Sequence, residues 1–204
     1  MPLIVRAPAH IKPGTVVDEL VTALDFAPTF ISLAGAEVPE HMQGRVFFGP
    51  QKQAEPEYIF AVRDRCDSDA DRIRCVRSKR FKYIRNYMPE VPYIDSGFKN
   101  LEVVRLLTEL HKAGEISPIN AGYFQAKPAE EFYDLDADPW ELNNLISSPD
   151  HQQTVEQMRA ELDNWIVQTD DLGRFPENEE DLAKYRDYMK EKRERQKSIR
   201  ARKQ

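Results

Sequence analysis

Residues 63–87, RDRCDSDADRIRCVRSKRFKYIRNY, concentrate the side chains of this chain that could do chemistry. Asp67, Asp69 and Asp71 alternate as the first ligands of an EF-hand calcium loop do, because carboxylates two residues apart can converge on one hard cation. Such a loop also needs Gly at its sixth position for the tight turn and a bidentate Glu at its twelfth. Those positions hold Arg72 and Ser78, so the run reads as a solvated hairpin turn in which Asp and Ser bond their own backbone. The second half interleaves Arg72, Arg74, Arg77, Lys79, Arg80, Lys82 and Arg85 with Phe81, Tyr83 and Tyr87, the composition of a sheet that stacks bases. Asp64, Asp67, Asp69 and Asp71 repel phosphate beside it, and aromatics in a half-buried sheet are ordinarily core. No nucleic-acid partner is expected.

Other chemistries find less support. Nucleophilic catalysis needs an activated Ser or Cys beside a base, and there is no Gly-x-Ser-x-Gly. His10, His41, His111 and His151 are scattered, with no spacing that suggests metal ligation. Cys66 and Cys75 are too few for a zinc site or a disulfide framework, and two half-buried thiols are expected. On its own chemistry the chain has no complete active site and no catalytic or metal-binding residue.

The elements that position these residues belong to a soluble globular chain. It has 204 residues, 41% hydrophobic and 31% charged, with a net charge of −6. Charge is unevenly spread: residues 170–181 hold six acids and one Arg, whereas residues 184–204 hold ten Lys/Arg and three acids. The start, MPLIVRAPAHIKPG, lacks the basic and long apolar stretches of a secretory signal, and no run is apolar enough for a membrane span. Pro2–Arg6 reads as a short buried strand with nothing before it to pair with. A helix follows with Asp25 as N-cap and Pro28 in its first turn, Phe30, Ile31, Leu33 and Ala34 facing inward, and Gly35 at its end. Residues 57–65, 71–78 and 80–87 read as successive strands, and 98–113 as a helix closed by Gly114. Residues 131–135 give a fourth strand. An amphipathic helix capped by Ser148 carries Val155, Met158, Leu162, Trp165 and Ile166 on one stripe. The last segment is helix-favouring but has little to bury.

Taken in order, several segments resemble the C-terminal third of a type I sulfatase of the alkaline phosphatase superfamily. PLIVRAPAHIKPGTVVDELVTALDFAPTFISLAGAEVPEHMQGR is similar to the stretch ending the family's catalytic domain. IRCVRSKRFKYIRNY is similar to its C-terminal strand pair, and EEFYDLDADPWELNNLISSPDHQQTVEQMRAELDNW to the run into its last helix. NYMPEVPYID and WIVQTDD resemble the branch that includes heparan N-sulfatase. The resemblance covers residues 2 to about 175. It implies an α+β fold, a four-stranded antiparallel sheet packed on a C-terminal helix, preceded by a remnant strand and helix of an α/β catalytic domain. The implied boundaries are 1–50 for the remnant, 51–175 for the α+β subdomain and 176–204 for a charged helical tail.

The departures limit what can be carried over. The family's nucleophile is a formylglycine made within Cys/Ser-x-Pro-Ser-Arg, and neither Cys66 (before Asp-Ser-Asp) nor Cys75 (before Val-Arg-Ser) fits. Its calcium ligands and catalytic His and Lys match no position here. The resemblance therefore implies calcium and formylglycine for the complete enzyme only, with a separate catalytic domain as partner and no activity for this chain alone. Complete members are often exported. Within the family, loops at one edge of the sheet shape the substrate pocket, which makes Arg63, Asp64 and Arg65 the candidate substrate-binding residues, Asp64 and Arg65 foremost. An Arg there would pair with a sulfate or uronate. The competing expectation is a stand-alone interaction module that binds an acidic polymer through the basic tail.

Overall fold

The computed structural model describes residues 3–8, 10–66, 69–94 and 101–201. They form two compact units, Met1–Ile59 with Arg77–Phe81, and Phe60–Val76 with Lys82–Gln204.

In the first unit, α1 (Phe26–Leu33) follows a single 3-10 turn, Ala23–Asp25. Asp25 is buried and works in both directions: its carboxylate accepts from the Thr22 and Arg45 backbone N–H groups, each at 2.9 Å. Two expectations fail here. Residues 3–6 form no strand and are exposed, because a strand needs a neighbour to satisfy its backbone and none lies beside them. On α1 the inward face is Pro28, Thr29 and Ser32, whereas Phe30 is 68% exposed and Leu33 and Ala34 are also exposed. The loop at 45–53 explains the reversal, since it has no ladder of its own. Thr29 Oγ1 accepts from the Phe47 N–H at 3.1 Å, and Ser32 Oγ donates to Gln51 Oε1 at 2.9 Å. Polar positions therefore turn toward the loop, and the apolar stripe is left outside. Ile31 alone of the four expected residues is half-buried.

The sheet is antiparallel, four-stranded and in sequential order: β1 (Ile59–Cys66), β2 (Asp69–Arg77), β3 (Phe81–Asn86) and β4 (Glu130–Asp134). The β2–β3 turn closes where the Ser78 N–H donates to the Phe81 carbonyl at 2.9 Å. Between β3 and β4 lie α2 (Glu102–Ala113), ended by Gly114 in the left-handed region at φ 73°, and the single turn α3 (Pro118–Ala121). The part of the expected 98–113 helix at 98–100 lies outside the described residues. After a 3-10 turn at Pro149–His151, α4 (Gln152–Gln168) lays Val155, Met158, Leu162 and Ile166 onto one sheet face, all buried together with Val76, Tyr83 and Phe132. Phe60 stacks on Trp165 with ring centroids 5.0 Å apart and planes within 9°. α5 (Glu179–Ala201) is largely solvated and buries Met189.

Candidate functional site

Strand alternation sends successive side chains to opposite faces, and this decides the fate of the 63–65 trio. Asp64 shares the α4 face with Arg74, and the two form an ion pair at 2.8 Å. Arg63 lies on the other face, 3.6 Å from Asp71. The structure therefore separates the first two candidates. The Arg65 side chain lies outside the described residues, as does that of Cys66; Cys75 is half-buried on β2.

On the α4 face the guanidinium of Arg74 is wholly buried and fully engaged. Nε and Nη2 donate to the two carboxylate oxygens of Asp171 at 2.6 and 2.9 Å, while Nη1 reaches Asp64 and the carbonyls of Arg63 and Ile73. Burial alone would lower the Arg74 pKa, but the bonds from Asp171 and Asp64 hold it above its ordinary value. In return, the Arg74 hydrogen bond keeps Asp171 below the usual carboxylate range. Asp171 opens the 3-10 turn Leu172–Arg174 just after α4 and also accepts from the Gly173 N–H at 3.1 Å. The result is a latch that fastens the exit of α4 to β1 and β2. Farther along the same face, Glu130 takes a two-pronged contact from Arg159 at 2.9 and 3.0 Å and a hydrogen bond from the Tyr83 hydroxyl. Arg159, then Tyr83, pull the Glu130 carboxyl below its ordinary value.

The opposite face carries a second polar cluster. Lys127 and Asp71 form an ion pair with both side chains fully buried. The Lys127 ammonium also lies over the Tyr93 ring, 5.1 Å from its centre. Glu131 accepts from three groups: the Tyr93 and Tyr133 hydroxyls at 2.5 Å each and the Asn86 amide at 2.6 Å. Burial, then the Glu131 carboxylate, raise both tyrosine pKa values. Three buried atoms here, Arg63 Nε, Asp71 Oδ2 and Asn86 Oδ1, have no hydrogen-bond partner among the described residues. These clusters were not foreseen from sequence. The available signal was Arg74 at the same strand parity as the core residue Val76, which places a guanidinium in a buried row and demands a carboxylate from elsewhere.

The antiparallel sheet backed by one long helix is an architecture found in solved sulfatases. It is shared with a solved 2-O GAG sulfatase at a TM-score of 0.54 and 23% identity, over 80% of this chain and 29% of that one. The family model for the C-terminal region of N-sulphoglucosamine sulphohydrolase matches residues 1–95. An ulvan-active sulfatase of Formosa agariphila is 40% identical over 182 residues, 87% of this chain and 30% of the relative. Human N-sulphoglucosamine sulphohydrolase is 27% identical over 188 residues, 83% of this chain and 37% of the relative. Along nearly its whole length the chain matches the C-terminal domain of sulfatases, and it spans about a third of the length of the curated relatives it matches.

Proposed function

We propose that this domain forms the outer wall of a sulfatase site that hydrolyses sulfuric esters or sulfamates on sulfated sugars or aryl sulfates, and that residues 1–204 alone do not turn substrate over. The observation that carries this reading is the 40% identity to an ulvan-active sulfatase across nearly the whole chain. Among the described residues no three His, Cys, Asp or Glu side chains are grouped to hold a metal ion, and neither cysteine stands in a formylglycine motif. The described residues offer no calcium site and the sequence no formylglycine motif, so no chemical step is assigned to either group. The partner is a sulfatase catalytic domain. The uncovered apolar side chains of the first unit suit that partner, with Ile4 and Val16 each 93% exposed beside Val17, Leu24 and Phe30.

Within the trio, Arg63 is the best-suited anion contact. Its side chain is 32% exposed, and among the described residues its ion pair with Asp71 is long, at 3.6 Å, so the guanidinium keeps capacity for a sulfate or carboxylate. Asp64 acts by holding Arg74, and Arg65 continues the strand end. Purified 1–204 supplied with calcium should release no 4-nitrophenol from 4-nitrophenyl sulfate, and turnover by the chain alone would overturn the proposal. In the chain joined to a sulfatase catalytic domain, Arg63→Gln should raise KM for a sulfated sugar about tenfold with kcat nearly unchanged.

A further inference from the structure

Helix α5 carries a column of cations that its own fold leaves unused. Arg186, Lys190 and Arg193 follow one another at four and three residues, which aligns them on one side of an α-helix. From Arg186 to Arg193 the column spans seven residues, about 10 Å at 1.5 Å per residue. Arg186, Lys190 and Arg193 are exposed, and among the described residues no ion pair engages them. The pairing that α5 does make is elsewhere, at Lys184 with Glu180 and Asp181. A helix that is merely solvated gains by pairing opposite charges three and four apart, whereas like charges at that spacing oppose its formation. Lys190 stands three residues from Asp187 and four from Glu194, yet among the described residues it makes an ion pair with neither. The three cations are left facing solvent along one side of the helix.

We infer that this column is a binding edge for a linear sulfated or carboxylated polysaccharide; the inference rests on the sulfatase reading and names where the polymer beyond the reacting sugar is held. The column is one residue wide and bordered by acids. A duplex nucleic acid would bring its second phosphate strand against Asp187, Glu191 and Glu194. A single-stranded nucleic acid needs aromatic platforms, and none stands in the column. A membrane surface needs a continuous apolar face to insert, whereas Met189 is buried, Leu182 and Tyr185 are half-buried, and the exposed Tyr188 and Ile199 stand eleven residues apart. A flexible polyanion lying along the helix axis meets the cations in turn and relieves their mutual repulsion.

The test is binding by the 204-residue chain, with no turnover involved, so its failure leaves the turnover test of the sulfatase reading untouched. Titrated with heparin, the chain should bind with an affinity that falls steadily as salt rises. The variant Arg186→Gln/Lys190→Gln/Arg193→Gln keeps good helix formers and should bind about tenfold or more weakly, with unchanged circular dichroism. The variant Lys184→Gln/Lys192→Gln/Arg195→Gln removes the same charge from off the column and should lose about twofold or less. Equal losses in the two variants would reduce the effect to net charge and overturn the inference. So would salt-insensitive or absent heparin binding, or binding to duplex DNA, single-stranded DNA or anionic vesicles at the same salt that is as tight as to heparin.

Discussion

At the scale of single residues, the sheet holds several of its charges in buried networks. Lys127 and Asp71 form a buried pair whose partners have no access to water. Removing one member leaves the other charge buried alone, which is far worse than never having the pair. Lys127→Met should therefore lower stability by about 3–5 kcal/mol in urea unfolding, and adding Asp71→Leu should recover much of the loss. Asp171 yields a pH prediction. Its carboxyl is depressed by Arg74, so the stability it contributes is complete above the unfolded carboxylate value near 4. That contribution is lost as pH falls through the lower folded value. Asp171→Asn should make the fall of unfolding free energy between about pH 5 and pH 3 shallower. An unchanged slope would show that the latch carries no charge energy.

At the scale of elements, α4 is held twice, by its apolar stripe along the helix and by the Arg74 latch beyond its end. The latch depends on Gly173, because a Cβ built there would lie 1.6 Å from Arg74 Nη2 and 2.8 Å from Asp64 Oδ1. An arginine side chain ordinarily swings aside, but this one is fixed by its bonds to Asp171, Asp64 and two carbonyls. Gly173→Ala should destabilise the domain by about 1–3 kcal/mol, and the penalty should shrink sharply in an Arg74→Met background. Additive losses in that double-mutant cycle would place the strain elsewhere. The strands and α4 were legible within a residue or two because their periods, two and 3.6, are written locally. The side of α1 that packs was not legible, because the loop at 45–53, remote from it in sequence, recruits Thr29 and Ser32 by hydrogen bonding.

At the scale of the whole molecule, the two units differ in how well they are covered. The second has a continuous core, Val76, Tyr83, Phe132, Val155, Met158, Leu162 and Ile166, all buried. The first leaves Leu3, Ile4, Val5, Val16, Val17, Leu24 and Phe30 open to solvent. Few buried contacts mean low local opening energy. Brief trypsin treatment should cut the isolated chain first within residues 1–35, at exposed Arg6, and leave a fragment containing β1 to α4. Strong amide protection in residues 1–35 would contradict this.

By itself the sequence determined the order of strands and helices, the stripe of α4 and the sulfatase kinship, since each rests on local spacing or on ordered motifs. Only the tertiary structure decided which charges are interior. Arg74 meets Asp171 across 97 residues and Lys127 meets Asp71 across 56, and no local period encodes such a meeting. It also divided the 63–65 stretch. Once β1 paired with β2, strand alternation turned Asp64 toward the latch and Arg63 toward the opposite face, beside Asp71.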